Sequence, residues 1–226
     1  MSFLSPYSFE GTLKPVAPFN FSKSLEFLSD FSPMKDEQVV KTGFLTKAVQ
    51  IKGKTIAFKV ADIGTVEDPK LEFTAFSESK FTKEDHELIA DRINFFLSLN
   101  DNLKEFYEIA KKDECIQPAI KKFYGHKQVK FLTPFEIACW AILAQRIPMK
   151  IAHRMKENVV QKVGGQIKVD DVEYLSFPEP KKTSARQLLQ KLRSRKLAPP
   201  KYGHAQRPFH ASKIRPSWYL VPSSQT

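Results

Sequence analysis

The sequence has few cysteines, no long apolar segment and, after Glu179, no acidic residue. Its two cysteines, Cys115 and Cys139, are too few for a disulfide framework, and we expect them to be thiols in a reducing compartment. No apolar run approaches the roughly 18–20 residues that a membrane-spanning helix needs. Residues 1–6 lack the charged and apolar regions of a signal peptide. We therefore expect a cytoplasmic protein that does not associate with membranes.

Several common catalytic and cofactor motifs are also missing. The five histidines form no cluster with metal-ligand spacing, either with each other or with the cysteines. The eight glycines are scattered and make no phosphate-binding loop, and no Gly-x-Ser-x-Gly sequence is present. The sequence therefore predicts neither a metal ion nor a cofactor.

The distribution of acidic residues decides how the net charge of +11 is interpreted. Eleven of the 36 lysines and arginines lie in residues 181–226, so residues 1–180 hold 25 basic and 25 acidic residues. This balance excludes an argument from whole-chain charge to nucleic-acid binding. Within the neutral part, residues 121–168 carry ten basic residues and two acidic ones. This internal basic segment, with a net charge of +8, is the better indication of a polyanionic partner.

The residue pattern predicts an α+β fold with three parts. Residues 1–80 read as a small antiparallel-sheet domain, with a helix near Phe21–Leu28, a hairpin across Lys52-Gly53 and a further strand at Leu71–Phe76. Residues 81–180 read as an incomplete all-α domain. Residues 181–226 read as an irregular, basic tail with no ordered structure expected after Leu197.

Helix-start signals divide the all-α part. Thr82 with Asp85 forms a predicted capping box, and further helical segments cover 103–112 and 116–124. The sequence Thr133-Pro134-Phe135-Glu136 starts a helix that runs to about Gln145 and is apolar on nearly every side, which predicts a buried position. An amphipathic helix follows from Pro148 and stops at Gly164-Gly165.

The turn between these two helices carries two large polar residues, Gln145 and Arg146. The residue pattern by itself predicts that both side chains are solvated on a surface turn. However, the ordered features of residues 132–167, followed by Phe177-Pro178-Glu179-Pro180, resemble the helix-hairpin-helix DNA glycosylases, specifically the DNA-3-methyladenine glycosylase II family. The resemblance covers about residues 6–180, and residues 6–76 are similar to the TATA-binding-protein-like sheet domain of that family.

The resemblance implies how these residues act. In such enzymes a residue from the inter-helix turn enters the minor groove and fills the gap left by a flipped-out damaged nucleotide. By this resemblance, Gln145 would face the opened site. Arg146 would be the wedge, the residue that enters the groove, at a position where many members of the family have an apolar residue. Lys150, Arg154 and Lys127 are candidates for phosphate contacts, with a solvated face as the alternative for each. The implied partner is double-stranded DNA with a damaged base, bound by a monomer.

The family's catalytic parts are not found in this sequence. The resemblance implies a Leu-Pro-Gly-x-Gly hairpin that binds phosphate and, after it, an Asp that stabilises positive charge on the sugar. By the resemblance, both features would lie after Pro180. In that part of the sequence there is no acidic residue, and the single glycine is Gly203. We therefore assign no catalytic residue and expect little or no activity. We interpret the acid-free segment as a frame change or truncation, with a genuine basic DNA-binding tail as the alternative.

Three interpretations of the function stay open at this point. The first is a base-excision-repair glycosylase of the alkylated-base type that hydrolyses the N-glycosidic bond of a flipped base but lacks its catalytic half here. The second is a non-catalytic DNA-binding module built from residues 121–168 and the tail. The third is an unstable fragment with exposed apolar helix faces. Removal of 8-oxoguanine is the alternative chemistry, although the lysine nucleophile of that branch is also not found after Pro180.

Overall fold

A computed structural model describes residues 7–34 and 37–180, and this part of the chain has a mixed α+β fold. It confirms the predicted fold class, whereas the TATA-binding-protein-like assignment stays a prediction. The tail, residues 181–226, lies outside the described residues. The elements in chain order are β1 (Tyr7–Leu13), α1 (Phe21–Asp30), β2 (Gln38–Lys41), β3 (Phe44–Ile51), β4 (Lys54–Asp62), β5 (Leu71–Ser77), α2 (Lys83–Leu97), α3 (Lys104–Ala110), α4 (Gln117–Lys122), α5 (Pro134–Leu143), α6 (Met149–Val163), β6 (Gly165–Val169) and β7 (Val172–Ser176).

The five N-terminal strands form one antiparallel sheet in the order β1-β5-β4-β3-β2. The predicted β3–β4 hairpin is confirmed, since Ile51 pairs with Lys54 across Lys52 and Gly53. Both turn residues have positive φ, 51° and 80°, as a two-residue hairpin turn of the primed type requires. The outer strands β1 and β2 were not predicted.

The main core lies between one face of this sheet and the helices α1 and α2. The capping box predicted for α2 is present, because Thr82 Oγ1 accepts from Asp85 N and Asp85 Oδ2 accepts from Thr82 N. The helical spacing of Leu88, Ile89, Ile93, Phe96 and Leu97 predicts the apolar side of α2, and all of these residues are buried except Leu88, which is partly buried. The helix therefore shares its core with the sheet, and the predicted boundary between residues 80 and 81 stays a prediction. No helix of the described ranges is both long and apolar enough to cross a membrane.

The β6–β7 hairpin packs on the opposite face of the sheet. The sequence did not indicate it, and the prediction that residues 81–180 are all-α is therefore wrong. Ile167 and Val169 alternate with polar residues and pack on Ala48 and Ala57 of the central strands. The hairpin turns at Asp170 and Asp171, whose φ angles of 49° and 63° are those of a primed turn. The alternation and the paired aspartates were the available signals.

Gly164 ends α6 as predicted, but for a different physical reason. Its φ of −70° is one that any residue adopts, so it is not a left-handed cap. A Cβ there would lie 2.3 Å from the carbonyl oxygens of Val160 and Ser176, both of which are backbone atoms. Glycine is required because the hairpin passes close to the end of the helix.

Replacing Gly164 by alanine is expected to destabilise the fold by about 2–3 kcal/mol, because backbone must move to admit the methyl group. The control is Gly43→Ala, where φ is +84° but nothing lies within 4 Å of the new Cβ. That change is expected to cost about 1 kcal/mol from backbone strain alone. Urea unfolding of both variants measures the difference. Equal costs would show that close packing is not the reason for this glycine.

Candidate nucleic-acid interface

Helices α5 and α6 form a helix pair joined by the short segment Ala144–Pro148. Thr133 caps α5, its Oγ1 accepting from Glu136 N at 3.0 Å, and Pro134 occupies the first turn. Cys139, Leu143 and Val159 form the buried contact between the two helices. The helix–turn–helix arrangement and its start signal were thus predicted, with α5 ending two residues earlier than expected.

The prediction that α5 is buried on nearly every side is wrong for the described chain. Its buried residues are Glu136, Cys139 and Leu143, whereas Ile137 and Ile142 are 47% and 39% exposed. The helix is covered on the side that faces α6 and the main core. Its other side has no packing partner within residues 7–34 and 37–180, so the apolar pattern of the sequence was not matched by burial.

Gln145 and Arg146 are exposed on the turn between the helices. Arg146 has a φ of 55°, in the left-handed region that costs a non-glycine residue about 1–2 kcal/mol. Such strain persists where the surrounding structure holds it, and it concentrates at functional sites. Here α5 ends directly before the turn and α6 begins directly after it, so two anchored helices hold the strained residue.

Lys150 and Arg154 are exposed on the first two turns of α6, four residues apart and therefore on the same side of the helix. The N-terminus of α6 has no side-chain cap and no acidic residue in its first turn. Its partial positive charge is therefore uncompensated by a side chain, which favours a nearby anion. One positively charged region, called here the turn surface, consists of Arg146, Lys150, Arg154 and this helix end.

Lys127 does not belong to this surface, and its predicted phosphate contact is corrected. The side chain is 2% exposed, and Nζ donates to the carbonyl oxygens of Val16 at 2.7 Å and Leu99 at 2.9 Å. Burial lowers the pKa of Lys127 to about 8, although the Asp101 carboxylate acts in the opposite direction. A lysine held by core carbonyls is unavailable to a phosphate.

Four buried charged residues connect the helix pair to the sheet: Glu37, Lys47, Glu136 and Lys156, called here the charge cluster. Lys156 Nζ lies 2.7 Å from Glu37 Oε1 and 2.8 Å from Glu136 Oε1, and it donates to the carbonyl of Pro33 at 2.9 Å. Lys47 Nζ lies 3.5 Å from Glu37 Oε2. The cluster joins β3, the segment before β2, α5 and α6, and its formal charge is zero.

The two lysines of the cluster respond differently to burial. Burial lowers the pKa of Lys47 below its ordinary value, and the nearby carboxylates of Glu37 and Glu136 offset this only in part. Burial also acts to lower the pKa of Lys156, but Glu136 and Glu37 together raise it above its ordinary value. Lys156 is therefore positively charged and forms an ion pair with each of the two carboxylates.

Sequence analysis missed this cluster, and two of its members had a plausible simpler role. Glu136 matched the third position of a capped helix, and Lys156 was counted in the basic segment 121–168. The burial of Lys127 and Lys156 means that the exposed positive charge of this segment is smaller than its composition suggests. Among the described residues, no group of three or more His, Cys, Asp or Glu could hold a metal ion.

Solved structures that share this fold include DNA glycosylases. A 3-methyladenine DNA glycosylase from Archaeoglobus fulgidus matches with a TM-score of 0.60 and 19% identity, over 79% of this chain and 64% of that one. An 8-oxoguanine glycosylase/lyase from Clostridium acetobutylicum, solved with double-stranded DNA containing cytosine opposite 8-oxoguanine, has a TM-score of 0.51 and 14% identity. That match covers 84% of this chain and 60% of the other.

A sequence relative supports the same class. A DNA-3-methyladenine glycosylase of Bacillus subtilis (strain 168) is 33% identical over 92 residues, which is 41% of this chain and 30% of the relative. No family model matches the chain. The resemblance to DNA glycosylases inferred from the sequence is thus confirmed by a relative and by the fold. The chain spans less than two thirds of each of these proteins.

Proposed function

We propose that this chain is a base-excision-repair protein of the DNA glycosylase type, which binds double-stranded DNA at a damaged base as a cytoplasmic monomer. The observation that carries the proposal is the exposed, strained Arg146 between two anchored helices. The Bacillus subtilis relative, named a DNA-3-methyladenine glycosylase, favours an alkylated base as the target.

In the proposed complex, Arg146 enters the minor groove and replaces the flipped nucleotide in the base stack. Unstacking costs a few kcal/mol and is offset by contacts to the bent DNA. A planar guanidinium can stack on the neighbouring bases and donate to their edges. Gln145, directly before it, faces the opened site with one amide donor group and one acceptor.

Phosphate contacts complete the proposed interface. Lys150 and Arg154 lie on the same side of α6, and the uncapped helix N-terminus adds backbone N–H groups. These contacts fix the register of the protein on the duplex without reading its sequence. Lys127 is excluded because its ammonium group is buried.

Excision is proposed to be weak or absent in this chain on its own. Hydrolysis of the N-glycosidic bond needs a carboxylate beside the developing oxocarbenium charge. The resemblance places that carboxylate after Pro180, where this sequence has none. Glu136, the acid nearest the turn on α5, is held in the charge cluster by Lys156.

The test is to titrate the protein with a duplex that contains a stable abasic-site analogue and with the matched undamaged duplex. We expect preference for the abasic duplex and a steep loss of affinity with salt, because lysine and arginine displace counterions from phosphate. A second readout is release of 3-methyladenine from alkylated DNA, with a full-length relative as positive control. Equal binding of both duplexes would contradict the proposal, and efficient release would contradict the proposed inactivity.

Removal of 8-oxoguanine is the second candidate chemistry, favoured by the fold match to the Clostridium enzyme. Substituting an 8-oxoguanine·cytosine pair for the abasic site distinguishes the two candidates. Tighter binding to that pair than to alkylated duplexes would favour the second candidate.

A further inference from the structure

Residues 177–180, called here the anchor segment, run from the end of β7 back to the turn of the β3–β4 hairpin. Glu179 is partly buried, and its carboxylate accepts two backbone hydrogen bonds from that turn. Lys52 N donates to Glu179 Oε1 at 2.8 Å, and Gly53 N donates to Glu179 Oε2 at 2.6 Å. Glu179 N in turn donates to Gln50 Oε1 at 3.4 Å. The anchor segment is therefore attached to the sheet far from the turn surface.

The geometry of the β3–β4 turn suits a carboxylate. The strand pairing ends with Ile51 and Lys54, so it does not use the N–H groups of the two turn residues. Successive N–H groups in such a turn form a concave site for an anion. Hydrogen bonds from N–H groups to an ionised carboxylate are stronger than those to a neutral acceptor. Glu179 is thus the ligand of an anion site made by backbone.

The anchor segment also contacts the helix pair. Phe177 packs against the buried contact between α5 and α6, and its ring centroid lies 6.0 Å from that of Phe135. Lys156 Nζ of the charge cluster lies 5.8 Å from the centre of the same ring. Two residues therefore separate the side chain that touches the helix pair from the carboxylate that touches the sheet.

The C-terminal end of α6 meets the sheet at the same place. Gly165 follows α6 directly, and it pairs with Ser176 at the end of β7. A Cβ on Gly165 would collide with Thr55 Oγ1 and Gln50 Nε2, both of which belong to the β3–β4 hairpin. The end of the helix and the anchor segment are thus held together on this hairpin.

The helix pair therefore has two attachments to the sheet. Lys156 lies near the middle of α6, so about 10 Å of helix separates it from the turn surface. A tilt of about 10° around this attachment would move the turn surface by about 2 Å. An attachment at the other end of the helix removes this freedom.

We propose that Glu179 is a positioning residue for lesion binding, an inference that rests on the function proposed above. It holds the anchor segment on the β3–β4 turn and thereby fixes the direction of the helix pair, and with it Arg146, relative to the sheet. The minor groove is about 6 Å wide, so a displacement of about 2 Å is enough to misplace a wedge. Long side chains that contact phosphate tolerate such a displacement.

The first measurement compares Glu179→Gln with the control Glu173→Gln in binding to abasic and undamaged duplexes. Both variants lose one negative charge, but the Glu173 carboxylate accepts from Gln166 within the β6–β7 hairpin rather than from the turn. Glutamine keeps one acceptor oxygen, and loss of one hydrogen bond of about 1 kcal/mol predicts about fivefold weaker binding of Glu179→Gln to the abasic duplex. Its binding to undamaged duplex should match that of the control.

The second measurement needs no DNA. Spin labels on Met149→Cys at the start of α6 and Lys59→Cys on β4, both exposed positions, report the distance between helix pair and sheet. The exposed Cys115 is changed to serine in every labelled protein. We expect a broader distance distribution in the full chain carrying Glu179→Gln and an unchanged one with Glu173→Gln.

The two measurements separate this proposal from the function on which it rests. An unchanged distance distribution in Glu179→Gln would overturn the positioning role, whatever the protein binds. An equal loss of affinity for both duplexes would also overturn it, because a merely structural role weakens all binding alike. If the parent protein shows no preference for the abasic duplex, the proposed function fails, while a broadened distribution would still support the role of Glu179 in holding the helix pair.

Discussion

Replacing Glu136 by alanine is expected to destabilise the protein by about 3–5 kcal/mol, the usual cost of removing one partner of a buried ion pair. Glu136 and Lys156 are each 1% exposed and lie 2.8 Å apart. Without Glu136, two buried lysines share the single carboxylate of Glu37. Chemical denaturation measures the change, and Glu87→Ala, an exposed glutamate on α2, is the control, expected to lie within about 0.5 kcal/mol of the parent.

A compensating double variant tests whether charge imbalance is the cause. Glu136→Leu combined with Lys156→Met removes one charge of each sign and leaves the Lys47–Glu37 pair, 3.5 Å apart. Apolar residues of similar volume often replace buried ion pairs without loss of stability. We therefore expect the double variant to be more stable than Glu136→Leu alone. Additive destabilisation would contradict the interpretation of the cluster as one coupled unit.

Arg146→Ala is expected to weaken binding to the abasic duplex by about 10- to 100-fold, which corresponds to about 1–3 kcal/mol of lost stacking on bases. Binding to undamaged duplex should change far less, because that binding depends on phosphate contacts. Lys162→Ala, on the exposed last turn of the same helix, is the control. It removes one positive charge away from the turn and should leave the preference for the abasic duplex unchanged.

Two further substitutions of Arg146 separate its charge, its shape and its backbone strain. Arg146→Lys keeps the charge but loses the planar group, so it should retain phosphate attraction and lose lesion preference. Arg146→Gly should bind DNA as weakly as the alanine variant but be more stable than it by about 1 kcal/mol, because glycine adopts a φ of 55° without strain. Equal stability of the glycine and alanine variants would show that the turn is not strained.

Local patterns predicted much of this structure because they are set by neighbouring residues. Apolar spacing and the Thr82 and Thr133 caps gave helices α2 and α5, and Lys52-Gly53 gave the β3–β4 hairpin. The exposed pair Gln145 and Arg146 was located by the same reasoning, since a turn between two periodic segments is visible in sequence.

The remaining features depend on contacts between distant segments. Lys127 is buried because two carbonyls from separate segments accept from its ammonium group. Lys156 is buried because it meets two carboxylates, one from α5 and one from the segment before β2. No local pattern distinguishes such lysines from solvated ones. For α5 the prediction failed in the opposite direction, because apolar residues predicted to be buried are exposed. Periodicity indicates which residues prefer burial but not whether a partner covers them.

The central claim, that Arg146 occupies the space of a displaced nucleotide, is tested most directly by the fluorescence of 2-aminopurine placed beside an abasic site in duplex DNA. A wedge that bends the duplex separates 2-aminopurine from the base on its other side, and this loss of base stacking raises its fluorescence, so the parent protein is expected to increase it on binding. At saturating concentrations, Arg146→Ala and Arg146→Lys should give little of that increase, while Lys162→Ala should give all of it. The same increase in the parent protein and in Arg146→Ala would contradict the role assigned to this residue.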